Sequence, residues 1–211
     1  MYHTFFKGME MINNALLEIT PALILFCLIS TITPGPNNIL LANSGANFGI
    51  KRTLPHVLGI RFGMTVLHIL ILFGLGGMFK HWPYLHKVFA FVAASYIVYM
   101  AIKIALAKRH SDKKALQPMG ILQAASFQAI NPKSWASLMT ASSVFTLTGD
   151  LYWSSAVLCI IMFNIATLPG TFMWITIGKL VSNRLQEPKF HRYFSVSMGL
   201  LLLATLPMIF I

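Results

Sequence analysis

The stretch TPGPNN, Thr33 to Asn38, interrupts a run from Pro21 to Ala42 that is otherwise almost entirely apolar. A proline inside a helix removes a backbone donor and collides with the carbonyl four residues before it, at a cost of about 3 kcal/mol or more. Two prolines around a glycine predict a helix that stops and restarts. What such a break is for depends on the solvent around it, and the rest of the chain decides that.

Of 211 residues, 56% are hydrophobic and 10% charged, with a mean hydropathy of +0.71. A soluble domain is about a quarter charged. Apolar stretches recur at a length matching the roughly 20 helical residues that cross a hydrocarbon core. These observations predict an all-α integral membrane protein. In hydrocarbon, broken backbone survives only against protein or around a watered cavity. Pro34-Gly35-Pro36 should therefore face inward, with Asn37 and Asn38 placed to satisfy the opened backbone or a ligand.

Six spans are predicted, at 20–42, 54–78, 84–106, 119–147, 151–177 and 192–211. The net charge of +11 gathers between spans rather than on one amphipathic face, so no nucleic-acid partner is called for. Lys51, Arg52, Lys108, Arg109, Lys113, Lys114, Lys179, Arg184 and Lys189 fall on one side, against Lys7, Lys80 and Lys87 on the other. The excess of cations marks the cytoplasmic side, which puts both termini in the periplasm. The N-terminal 20 residues lack the basic, apolar and small-residue order of a cleaved leader, and Met9 and Met11 are alternative starts.

Span four carries its own interruption, NPKSW at Asn131 to Trp135. Its Pro132 lies as deep in span four as Pro34 does in span one. Three spans per half make the second half enter the membrane in the opposite sense, so the single transmembrane domain of 1–211 divides into repeats at 20–107 and 118–211. Paired broken helices in inverted repeats are the best sequence pointer to a transporter's binding site. A simple proline kink packed against neighbouring helices is the structural alternative for either break taken alone. A half-helix that starts at a break turns N–H groups and a positive dipole end into the cavity, suited to a carboxylate. The half that ends there offers carbonyls to an ammonium. A zwitterionic amino acid answers both needs.

Lys133 is the sharpest single residue, since an ammonium near the bilayer centre is a functional candidate by default. Two readings stand: it faces a cavity as a binding group, or it bonds the carbonyls at the end of the half-helix in span one. Cys27 and Cys159 lie apart in apolar runs with no metal spacing, and neither a metal nor a cofactor is expected.

The segment TITPGPNNILLANSGANFGIKRTLPHVLGIRFG, Thr31 to Gly63, and FQAINPKSW, Phe127 to Trp135, closely resemble the RhtB branch of the LysE superfamily of bacterial amino-acid exporters. Within it the sequence looks most like the cysteine and O-acetylserine exporter subgroup. The resemblance covers nearly the whole chain from about Asn14 and includes the six-span layout. It implies efflux of small amino acids or their derivatives across the inner membrane, driven by protons, without catalysis. Its motif positions are Thr33, Pro34, Gly35, Pro36, Asn37, Asn131, Pro132 and Lys133. The partners implied are an amino-acid substrate, protons and the lipid bilayer, and a homodimer is compatible with it.

Arg61 interrupts span two where relatives carry a small or apolar residue, with His68 on the same helical face. Arg61 either snorkels its guanidinium to the headgroups or faces the cavity and binds a carboxylate. His68 either hydrogen-bonds a neighbouring helix or shuttles protons. No Asp or Glu lies well inside any span. Asn164 with LPGT, Leu168 to Thr171, predicts a milder kink in span five. Gly59-x-x-x-Gly63 predicts close helix approach. Trp82, Tyr84, Tyr152 and Trp153 read as interfacial anchors, and Ala107 to Lys114 as a solvated linker between the repeats. The rival classes are a transmembrane thiol or electron carrier, a channel, and a non-transporting membrane subunit. Neither a hydrolase motif nor a phosphate loop is present.

Overall fold

A computed structural model describes residues 2–75, 83–106 and 117–209, and the described residues are helical with no strand. Helix α1 runs Tyr2–Ile32, α2 Pro36–Leu70, α3 Pro83–Ala105, α4 Ile121–Ile130 and α5 Pro132–Phe145. Helix α6 runs Tyr152–Ala166, α7 Leu168–Val181 and α8 Pro188–Leu203. Asn14–Ile32, Pro36–Gly74 and Gly149–Val181 are long and apolar enough to cross a membrane. Outward-facing Leu25, Leu58, Phe62, Val66, Ile161 and Ile165 are well exposed, the surface that lipid would cover in a multi-pass protein. Trp82 and the linker at 107–114 lie outside the described residues, as does the side chain of Tyr84.

Both expected interruptions occur. Helix α1 stops at Ile32 and α2 starts at Pro36, while α4 stops at Ile130 and α5 starts at Pro132. In each case proline occupies the first turn of the new helix, where its missing N–H has no intrahelical partner to lose. Span five is also in two pieces, joined at Thr167 with its φ/ψ still near helical values.

One connection is shorter than the sequence predicts. The spans at 20–42 and 54–78 leave 43–53 as a loop, but α2 stays helical through it except at Gly49, where φ is +75°. Only glycine takes that conformation at no steric cost. The kink is clasped by Thr53, whose Oγ1 donates to Gly49 O at 2.8 Å and lies 2.9 Å from Ser44 Oγ. Past Leu70 the chain continues as a π-helical turn, Ile71–Leu75. Tyr152 is tied inward rather than lying free at the interface, its OH donating to Leu72 O at 2.7 Å. Its neighbour Trp153 is exposed and packs on Phe73.

Helix α2 packs most extensively on α7 and α4, and glycine sets the closeness of both contacts. A Cβ at Gly59 would come within 2.3 Å of Ile121 O, and one at Gly63 within 2.5 Å of Ala125 O. On the other side, a Cβ at Gly178 would come within 1.9 Å of Ala42 O. In lipid, where burial of apolar area does not drive helices together, backbone-to-backbone packing of this kind is what holds them. Gly178→Leu should therefore force α7 off α2 and cost about 1–3 kcal/mol or more. Thermal unfolding in detergent checks it, and an unchanged midpoint would contradict the close contact.

Candidate functional site

The end of α1 shows where its free carbonyls go. The last four C=O groups of a helix lack intrahelical partners. Asn38, from the first turn of α2, donates its amide to Thr31 O and Thr33 O, both at 2.7 Å. Trp174 of α7 donates Nε1 to Thr31 O at 3.1 Å. Just beyond the helix end, Lys133 Nζ donates to Thr33 O at 2.5 Å, Thr33 Oγ1 at 2.8 Å and Pro34 O at 3.1 Å. A cation is favoured at the negative end of a helix dipole. The carbonyls expected to receive a solute's ammonium thus already hold the protein's own.

The second break is built from amides. Asn131 caps α5, its Oδ1 accepting from Lys133 N at 3.2 Å. Pro132 opens that helix and delivers Lys133 to the facing break. Gln128, fully buried in α4, exchanges amide bonds with Asn37: Asn37 Nδ2 donates to Gln128 Oε1 at 2.8 Å and Gln128 Nε2 donates to Asn37 Oδ1 at 3.1 Å. Ser134 donates to the same Oε1 at 2.8 Å, and Gln128 Nε2 also reaches Ala124 O at 2.8 Å. Residues 91 positions apart are thereby locked together, and the two interruptions form one structure. Gly35 sits under Lys133: a Cβ there would meet Lys133 Cδ at 2.5 Å.

Arg61 turns inward. Its Nη1 donates to Thr167 Oγ1, its Nη2 to Thr171 Oγ1, and Nη1 also lies 3.4 Å from Phe163 O. Snorkelling is overturned because the α6–α7 joint presents a freed carbonyl and two hydroxyls within reach. Asn164 supports that joint from outside, donating to Thr65 Oγ1 and Ile160 O, both at 2.9 Å.

Between the three interruptions lies a cavity with about 450 Å³ of empty volume, including its open mouth. Asn37, Asn38, Asn131 and Lys133 line it with Arg61, Ser137 and Thr171, and among the described residues its lining contains no Asp or Glu. The first turn of α2 follows Gly35, which brings no side-chain cap, so that turn's N–H end points its positive dipole at the cavity. Two cations, helix N–H groups and hydroxyls without a carboxylate suit an anionic group.

Thr33 and Pro34 are exposed and outside the cavity lining, and Pro36 is buried. His68 is buried outside the cavity lining, edge-on to Phe163 at 5.9 Å between ring centroids, with Nε2 unpartnered. Cys27 and Cys159 are free thiols buried in an apolar cluster. Among the described residues no group of three or more His, Cys, Asp or Glu could hold a metal ion. Sequence reasoning missed Gln128, Ser134, Ser137, Thr167 and Thr171 as lining or bracing residues. The signal for Gln128 was available: an amide in an apolar half-helix, three residues before the break.

A family model described as LysE type translocator matches residues 28–205. The chain is 29% identical over 182 residues to the cysteine/O-acetylserine efflux protein of Salmonella paratyphi A, covering 84% of this chain and 90% of that one. It is 29% identical over 164 residues to the protein of the same description in Klebsiella pneumoniae, covering 75% and 81%. A third such protein, from Escherichia coli O139:H28, is 28% identical over 183 residues, covering 84% and 90%. No solved structure matches the chain.

Proposed function

The chain belongs to the LysE type translocator family, and from that premise we propose that it exports small amino acids or their derivatives, binding them in the cavity between the helix breaks. Cysteine, O-acetylserine and solutes like threonine and homoserine are the cargo class. The observation that carries the reading is the meeting of Asn37, Lys133 and Arg61 around one polar cavity free of carboxylates. Cargo carboxylate is held by the N–H end of α2 and by Arg61, while cargo ammonium competes with Lys133 for the oxygens of Thr33 and Pro34.

The six crossings form two inverted halves, 20–107 and 118–211, in the bacterial inner membrane with both termini periplasmic. What supports this is the distribution of cations and the matching Pro36 and Pro132 at the start of the restarted helices. The proton gradient drives efflux, with His68, a buried imidazole in the second span, as the group assigned to the proton.

Cells overproducing the protein, loaded with an amino-acid panel, are expected to release one or more of these solutes several-fold faster than control cells, and an uncoupler should remove the difference. Release equal to control across the panel would overturn the function, and release indifferent to the uncoupler would overturn the driving force. The same panel tests Arg61. Loss of a bonded guanidinium should cost Arg61→Leu roughly tenfold for the best cargo, and more for acidic derivatives. An unchanged profile would remove Arg61 from cargo selection.

A further inference from the structure

A second cavity, with about 760 Å³ of empty volume including its mouth, lies further along α2. Asn43 and Asn47 line it from the first part of α2, six and ten residues beyond Asn37, or about 9 and 15 Å along a helix axis. His56 lines it from beyond the Gly49 kink, Lys103 from the last turn of α3, Gln123 from α4 and His191 from α8. Among the described residues its lining contains no Asp or Glu.

His56 makes this cavity more than a gap. The side chain is 1% exposed, and both Nδ1 and Nε2 are buried without a hydrogen-bond partner. A neutral imidazole carries one donor and one acceptor, and leaving both unmet in the interior is costly. His56 belongs to the cavity wall, and its covered ring nitrogens are groups that a small polar occupant would satisfy on a turn of the ring. The surrounding chemistry narrows that occupant: amides at Asn43 and Gln123, a cation at Lys103 and, among the described residues, no carboxylate to repel an anion.

The position is equally specific. Leu40 lines this cavity, Leu41 and Ile60 line the one at the breaks, and all three belong to a single buried apolar cluster. His56 and Ile60 are one helical turn apart on α2. The two cavities are thus separated by a thin apolar partition. The second lies at the end of the molecule that carries Lys51 and Arg52, the end that the excess of cations places in the cytoplasm.

We propose that this cavity is an intake site, which binds the carboxylate end of a small amino acid through His56 and Lys103 before the solute crosses the partition to the helix breaks. Its occupant rests on the reading of the chain as an amino-acid exporter; the polar, acid-free pocket around an unpartnered His56 does not. Binding there concentrates cargo at the mouth and sets how much cytoplasmic solute is needed. Removing the site raises the concentration required without slowing the crossing itself.

The test uses the full chain in lipid nanodiscs with labelled L-cysteine under reducing conditions. Wild type should bind two molecules per chain, His56→Leu one, and Arg61→Leu one. His56→Gln, which restores a donor and an acceptor, should recover part of the lost binding, and Gln123→Ala, on the open wall, should weaken the same site. In vesicles exporting L-cysteine, His56→Leu should raise KM about tenfold and leave kcat within about twofold. A wild-type stoichiometry of one that only Arg61→Leu abolishes overturns the proposal, as does a stoichiometry of two indifferent to His56 and Gln123. If L-cysteine does not bind at all, the export reading fails for that cargo, and acetate becomes the probe. Acetate binding that depends on His56 sustains the site apart from that reading, and its absence removes the site.

Discussion

Lys133→Ala is expected to reduce export by roughly 10–100-fold while the protein still folds and inserts. Nζ makes three bonds, to Thr33 O, Thr33 Oγ1 and Pro34 O, and bonds to a charged group contribute about 1.5–3 kcal/mol. At about 1.4 kcal/mol per factor of ten, losing one such contribution accounts for the range. Thr33 and Pro34 are exposed, so water replaces the ammonium and the fold is spared. Function is not spared, because no fixed cation then balances the end of α1 across the cavity. Lys133→Arg keeps the charge but not its compact geometry, and should fall between. The check is efflux normalised to the amount of protein in the membrane, and wild-type efflux by Lys133→Ala would remove this residue from the mechanism.

Gln128→Leu should act in the opposite order, on stability first. Leucine keeps much of the volume of a fully buried side chain, but it strands its partners. Asn37 loses both halves of its amide exchange and buried Ser134 loses its acceptor. Each buried polar group left unmet costs about 1–3 kcal/mol, so the thermal midpoint in detergent should drop markedly and export should fall with it. Gln128→Asn, which keeps an amide donor and acceptor one methylene shorter, should cost less. A midpoint unchanged in Gln128→Leu would mean that the two breaks do not depend on this pair.

The breaks were legible because their penalty is written in residue types. Proline has no N–H wherever it sits, so TPGPNN and NPKSW declare a discontinuity by residue identity alone. Membrane class followed from composition for the same reason, since charge content is independent of conformation. The direction of Arg61 was not legible. Its depth allowed either a path to the headgroups or a turn inward, and the choice depended on Thr167 and Thr171, more than 100 residues away. Both are hydroxyls that an apolar helix tolerates silently by bonding back along its own turn, Thr167 to Phe163 O and Thr171 to Thr167 O. The missing loop at 43–53 was hidden because Gly49 does in one residue what an apolar-run scan assigns to a polar connection.

The ammonium of Lys133 on the oxygens of Thr33 and Pro34 has a consequence for the carrier with nothing in it. For a cargo's ammonium to reach those oxygens, the lysine must withdraw, so loading is a swap of one like-charged group for another rather than an addition. The helix end is never left bare, and the local charge before and after the swap is the same. An unloaded carrier built this way has a tethered stand-in for its passenger, so the end of α1 meets the same charge on the return as on the way out.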